Sequence, residues 1–242
     1  MSPVPGQAPR TRAELAAIID HTLLRPGATR AQVEALCAEA SAHGFASVCV
    51  NPSRVALART CLQGQVPVCT VIGFPLGANR PAVKAAEARL AVAEGADELD
   101  VVIALGALKD GDHAAVLADL RVVVAAAEDR LVKVILEVAL LSPEEIDVAC
   151  RLAVEAGARF VKTSTGFGPG GASVEAVARM RRAVGPAIGV KASGGVGDVA
   201  TARAMIAAGA TRLGASASLA ILRGWDEAGP ADPSHMSGST GT

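Results

Sequence analysis

Along most of this chain, short β-branched runs alternate with alanine-rich stretches whose apolar positions recur every three or four residues. Eight runs read as strands: 18–22 (IIDHT), 46–51 (ASVCVN), 67–73 (PVCTVIG), 98–103 (ELDVVI), 132–138 (VKVILEV), 159–164 (RFVKTS), 187–193 (AIGVKAS) and 211–216 (TRLGAS). Between them, helical spacing is clear at Val33, Leu36, Cys37 and Ala40, and again at Val116, Leu117, Leu120, Val123 and Val124. One helix start is marked by Ser142-Pro143-Glu144-Glu145, a serine cap, a first-turn proline and a capping-box glutamate. Glycine recurs just ahead of strands in HGFASV (43–48), EGADELDV (94–101), EAGARFV (155–161) and AAGATRLG (207–214), where it stops a helix in the left-handed conformation.

Strict alternation of strand and helix gives a parallel sheet, and eight units favour closure. The expected architecture is α/β: a single (β/α)8 (TIM) barrel over residues 11–224 with an extra N-terminal helix. Residues 1–10 are expected to form a disordered leader and 225–242 a flexible polar tail. No G-x-G-x-x-G follows the first strand, which argues against an open dinucleotide-binding sheet.

Composition narrows the function classes. Hydrophobic residues make up 51% of the 242 positions, yet no uninterrupted apolar run approaches the roughly 18 residues of a membrane span. The opening MSPVPGQAPRTRAEL lacks a signal-peptide core, so a cytoplasmic protein is expected. A formal net charge of −1, 2% aromatic residues and no tyrosine give no reason to expect a nucleic-acid or membrane partner. Five cysteines without a C-x-x-C pair and four scattered histidines point to free thiols and no metal.

Lysine usage carries the chemistry. Only five of the 23 basic residues are lysines, and three of them, Lys133, Lys162 and Lys191, sit inside strand-like runs. Arginine is effectively never deprotonated, whereas a buried lysine can serve as a nucleophile or base. Alternation puts Lys162 on a face with Phe160 and Ser164, and Lys191 with Gly189 and Ser193. By the same rule Asp100 falls with Glu98 and Val102, and Lys133 with Ile135 and Glu137. If these faces point inward, amines and a carboxylate converge in a low-dielectric space. Two readings remain open: a buried ion-pair network holding the barrel, or a nucleophilic amine made available by a neighbouring cation and by desolvation. Lys133, at the start of its strand, is expected to pair with an acid near the barrel floor. Glycine loops after the seventh and eighth strands, SGGVGD (193–198) and GASAS (214–218), form a candidate phosphate cradle.

At these residues the chain resembles the deoxyribose-phosphate aldolase family over about residues 14–224. The resemblance rests on IDHTLLRPGAT (19–29), VCVNP (48–52), VIGFPLG (71–77), GADELDVV (95–102), FVKTSTGF (160–167), VKASGGV (190–196) and RLGAS (212–216). It implies metal-independent, cofactor-free cleavage of 2-deoxy-D-ribose 5-phosphate to D-glyceraldehyde 3-phosphate and acetaldehyde, in deoxyribose phosphate catabolism. Lys162 would form the Schiff base, with Lys191 and Asp100 as proton relay. Asp20 and Thr22 would lie near substrate hydroxyls and Cys49 at the site edge, with core packing the favoured role for Cys49. Gly166, Gly194, Gly195, Gly214 and Ser216 would surround the phosphorylated substrate. The resemblance also implies a homodimer or homotetramer. Phe167, Gly197 and Ala217 depart from family patterns that place lysine, arginine and serine there, which leaves the cradle to backbone amides and Ser216. A flavin- or phosphate-binding barrel oxidoreductase is one alternative, which leaves the Lys162, Lys191 and Asp100 trio unexplained; a non-catalytic phosphosugar-binding barrel is another, which would tolerate Lys162→Ala without functional loss.

Overall fold

The computed structural model describes residues 8–228. Eight parallel strands close into one barrel in chain order: β1 (Ile19–Leu23), β2 (Ser47–Val50), β3 (Val68–Ile72), β4 (Glu98–Val102), β5 (Leu131–Ile135), β6 (Phe160–Lys162), β7 (Gly189–Ser193) and β8 (Arg212–Ala215). Every one of the eight expected strands is present with its ends moved by at most three residues: β1 is shifted one residue later, β5 starts one earlier and ends three earlier, and the others are shortened. The helices are α1 (Arg12–Ala16), α2 (Arg30–His43), α3 (Val55–Leu62), α4 (Pro81–Ala93), α5 (Leu105–Lys109), α6 (His113–Ala126), α7 (Pro143–Glu155), α8 (Val174–Val184), α9 (Val199–Ala207) and α10 (Ser218–Ala228). The extra N-terminal helix is α1, opened by a capping box between Thr11 and Glu14.

Local rules account for the element ends. Ser142 Oγ accepts from the Glu145 N–H at 3.2 Å, and Glu145 Oε2 accepts from the Ser142 N–H at 2.7 Å, the box read from the sequence. Gly44, Gly95, Gly157 and Gly209 all have positive φ, so each turns its chain from a helix toward the next strand. Of the expected inward faces, Val33, Leu36, Cys37 and Ala40 are buried in α2 and Val116, Leu120 and Val123 in α6, while Leu117 and Val124 are half-buried.

The main apolar core lies between the strands and the helices. Inside the barrel the filling is different: Asp20, Glu98, Asp100, Lys133, Lys162 and Lys191 are buried there, beside a small apolar group of Leu24, Cys49, Cys69 and Val71. The expected end of the barrel at 224 needs correction. Helix α10 continues to Ala228, because Trp225 is buried and lies under the Arg203 guanidinium, 4.5 Å from its ring centre. Arg10, placed in the expected leader, donates its N–H to Glu14 Oε2 at 2.6 Å and belongs to the α1 entry. The rest of the expected leader (1–7) and tail (229–242) lies outside the described residues.

Candidate active site

Strand register brings the charged residues together. Lys162 on β6 and Lys191 on β7 are direct partners, as are Asp100 on β4 and Lys133 on β5. Side chains of direct partners project to the same face, so the two lysines enter the barrel side by side. Asp100, buried beneath them, accepts from both on one oxygen: Lys162 Nζ lies 2.9 Å and Lys191 Nζ 2.7 Å from its Oδ2. Its Oδ1 takes Lys133 Nζ at 2.8 Å and the Cys69 thiol at 3.2 Å. The trio expected to converge does so.

A second acid, Asp20 on β1, completes the cluster. Its Oδ1 accepts from Arg212 Nη1 at 2.6 Å, and its Oδ2 is paired with Lys191. Lys133 Nζ also meets Glu98 Oε2 at 2.5 Å, and Arg212 reaches Glu98 at 3.4 Å. Lys133 therefore has the floor partner expected of it, but it also shares the central aspartate. Gly214, opposite Asp20 on β8, leaves room for this arrangement: a Cβ there would lie 3.0 Å from Lys191 Cε and 2.9 Å from Ser193 Cβ.

The electrostatics follow from burial set against these contacts. Burial pushes the Asp100 carboxyl up, but Lys133, Lys162 and Lys191 outweigh it and hold it well below the usual carboxylate range. Asp20 is lowered in the same way by Lys191 and Arg212 against burial. Burial lowers the Lys191 amine, yet Asp100 and Asp20 overcome it and raise it, so Lys191 is an ammonium. Lys133 is raised likewise, chiefly by Asp100 working against burial. Crowding by a second cation thus does not lower Lys191: with two carboxylates in contact, attraction exceeds repulsion. Two clusters of potential ligand atoms, Cys49–Cys69–Asp100 and Asp20–Cys69–Glu98, each lie within 4.8 Å. Their carboxylates are already committed to Lys133, Lys162, Lys191 and Arg212.

Above the cluster, at the C-terminal ends of the strands, opens a cavity of about 870 Å³. Seven of the expected site residues line it: Thr22, Lys162, Gly166, Gly194, Gly195, Gly214 and Ser216. Gly194 and Gly195 both have positive φ, and the Gly194 carbonyl is taken by the Ala172 N–H at 2.9 Å. Of the cluster's basic groups only Lys162 reaches the cavity wall. Asp100, Lys191, Asp20 and Cys49 lie beneath it. Asp20, expected near substrate hydroxyls, spends its side chain on Lys191 and Arg212, and its carbonyl accepts from the Thr22 hydroxyl at 2.8 Å. Cys49 packs with Leu24, Cys69 and Val71.

Phe167 stands half-exposed at the rim with its ring edge-on to Phe74, 5.2 Å between centres. Gly197 and Ala217 line the cavity without adding charge. Sequence reasoning missed three contributors. Arg212 shares the inward phase of Gly214, which was a readable signal. His21 lines the cavity, tied to Ser218 Oγ at 2.9 Å and to Glu39 Oε2 at 2.7 Å; burial, acting against Glu39, lowers its pKa. Arg25, just beyond β1, also lines the cavity, and its guanidinium has no partner among the described residues.

Residues 15–224 match the model of the DeoC/LacD family aldolases. A deoxyribose-phosphate aldolase of Exiguobacterium sibiricum is 60% identical over 212 residues, spanning 87% of this chain and 96% of that protein. Deoxyribose-phosphate aldolase 1 of Bacillus licheniformis is 58% identical over 213 residues, with 87% and 96% covered. Among solved structures, the tetrameric deoxyribose phosphate aldolase of Aeropyrum pernix superposes with a TM-score of 0.83 at 35% identity, covering 88% of this chain and 91% of that one.

Proposed function

The chain belongs to the DeoC/LacD aldolase family, and on that premise we propose how its residues perform the reaction. The activity is reversible cleavage of 2-deoxy-D-ribose 5-phosphate to D-glyceraldehyde 3-phosphate and acetaldehyde through a lysine Schiff base, in deoxyribose phosphate catabolism. The observation that carries the residue assignment is the shared Asp100 Oδ2, which holds Lys191 beneath the cavity and Lys162 at its wall.

Ion pairing and access to the cavity select the nucleophile. Four basic groups (Lys133, Lys162, Lys191 and Arg212) face three carboxylates (Asp20, Glu98 and Asp100). Arginine keeps its proton. Lys133 and Lys191 each face more than one carboxylate, whereas Lys162 faces only Asp100. Lys162 is also the one of these four groups at the cavity wall, and its amine is assigned as the nucleophile that attacks the sugar aldehyde. Water leaves, and the resulting iminium accepts the electron pair of the C2–C3 bond as the C3 hydroxyl gives up its proton. Glyceraldehyde 3-phosphate departs. Asp100 and Lys191 return a proton to the enamine carbon through a water molecule, and hydrolysis of the iminium releases acetaldehyde and restores Lys162.

The phosphate is assigned to the Gly194–Gly195 loop, the turn at Gly214 and Ser216, and Arg25 as the cation. Glycine amides approach an anion closely and a free guanidinium supplies the charge absent at Phe167 and Gly197. Thr22 faces the sugar, while Asp20 acts through Lys191 and Arg212. A cytoplasmic homo-oligomer fits best: Cys37, Cys49, Cys69 and Cys150 are buried free thiols, and Leu90, Val122 and Val154 expose apolar surface on the outer helices α4, α6 and α7. No helix among the described residues is long and apolar enough to cross a membrane.

The decisive experiment is reduction with borohydride in the presence of acetaldehyde, followed by peptide mapping. The expected result is an ethyl adduct on Lys162 and loss of turnover. Intact turnover with unmodified Lys162 would falsify the assignment.

A further inference from the structure

Behind the cavity wall formed by the β6–α8 loop lies a carboxylate that the reaction above does not use. Glu137 lies two residues past the end of β5 and takes left-handed backbone angles, φ 57° and ψ 59°, unusual for a residue with a Cβ. Its side chain is buried, and among the described residues it has no ion-pair partner. A buried carboxylate without a cation is costly, so the contacts it does make matter. Oε2 accepts from the Thr165 hydroxyl at 2.5 Å and from the Thr165 N–H at 3.3 Å. Thr165 Oγ1 in turn accepts from the Phe167 N–H at 3.0 Å. Gly168 passes directly over the carboxylate: a Cβ there would lie 2.9 Å from Glu137 Cδ. Thr165 and Phe167 both line the cavity.

A threonine hydroxyl has one proton and two lone pairs. Glu137 takes the proton and the Phe167 amide takes one lone pair. What remains for the cavity is a single acceptor site, so the partner of Thr165 must be a donor. We propose that Glu137 is a positioning residue: it locks Thr165 as an acceptor for a hydroxyl of the sugar and holds the 165–168 loop in the cavity wall. Acetaldehyde has no hydroxyl to donate, so Glu137 discriminates the two halves of the reaction. The inference rests on the Schiff-base reading above.

The test pairs two readouts on the full chain. Glu137→Ala is expected to lower kcat/KM for cleavage of 2-deoxyribose 5-phosphate by about 10- to 100-fold, the range for a lost charge-assisted hydrogen bond. Borohydride trapping of acetaldehyde on Lys162 is expected to stay within about twofold, since only the hydroxylated half loses its contact. Glu137→Gln keeps a carbonyl acceptor for Thr165 and should recover most of the cleavage activity. Glu137→Ala combined with Thr165→Val should be no worse than Thr165→Val alone, because the two act as one unit. The proposal is overturned by wild-type cleavage in Glu137→Ala, by losses that multiply in the double variant, or by trapping that falls in step with cleavage. If Glu137→Ala does not fold, Glu137→Gln and Thr165→Val decide: cleavage near wild type in Thr165→Val, or Glu137→Gln as impaired as Thr165→Val, overturns it. Failure of the wild-type protein to trap acetaldehyde would instead sink the Schiff-base reading and leave the Glu137 geometry without a substrate.

Discussion

Asp100 presents two oxygens to three amines, Oδ2 to Lys162 and Lys191 and Oδ1 to Lys133. The ion-pair network and the reactive amine, separate readings at the level of sequence, are one arrangement: the network supplies the field, and one of its members borders the cavity. Its titration sets a pH dependence with a definite sign. Asp20 and Asp100 are lowered, so their stabilisation is present above their unfolded value of about 3.9 and is lost as pH falls toward the folded values. Lys133 and Lys191 are raised, so theirs is present below about 10.4 and is lost only as pH climbs through the folded values. Thermal melts should show a plateau from roughly pH 5 to 9 and a steady decline below about pH 4. A sharp maximum inside that plateau would contradict the cluster's role. Arg25 makes a prediction at the same scale. Arg25→Ala should raise KM for the phosphorylated sugar by about 5- to 30-fold while leaving cleavage of unphosphorylated 2-deoxyribose unchanged. Equal effects on both substrates would remove Arg25 from the phosphate site.

The β6, β7 and β8 strands set the spacing of the site more than any loop does. Lys162 and Lys191 are register partners, and Ser193 pairs with Gly214 on the next strand, which keeps a gap beside the Lys191 stem. Filling that gap tests how tightly the strands determine the chemistry. Gly214→Ala should cost about 1–3 kcal/mol of stability by overpacking and should lower kcat by displacing Lys191. Denaturant unfolding and turnover measured together check this; an unperturbed kcat would mean that Lys191 has slack. Inward phase was legible along these strands because side chains alternate, and it correctly grouped Asp100 with Glu98. Depth was less legible. Lys133, expected at the start of its strand, is the middle residue of β5 and the register partner of Asp100, so its amine meets Asp100 as well as Glu98.

Closure of the whole barrel is what makes the cluster possible. Asp100 on β4 meets Lys191 on β7 across the interior, and Asp20 on β1 meets Arg212 only because β8 pairs with β1. The outer shell closes at the same seam, where Arg12 of α1 binds Asp226 of α10 at 2.5 Å and Trp225 is buried. Helix α10 begins at Ser218, which is tied to His21 in the cavity wall. Ending the chain at residue 224 should therefore lower stability by about 3–5 kcal/mol, the cost of losing a buried tryptophan. A melting temperature equal to that of the full chain would show that the seam holds without Trp225.

Alternating strands and helices, the inward phase of the lysines and Asp100, the helix caps and the glycine stops were all determined by the sequence itself. Each depends on local periodicity or on the conformational preference of one residue. Tertiary structure decided which charged groups share an oxygen, which amine reaches the cavity, how Arg25 and His21 join its wall, and how Glu137 backs it. Those outcomes depend on the stagger of strands around a closed barrel and on the path of the loops between them. Strand alternation assigns a face to each side chain, but the partners that meet there come from residues as far apart in the chain as Asp20 and Arg212.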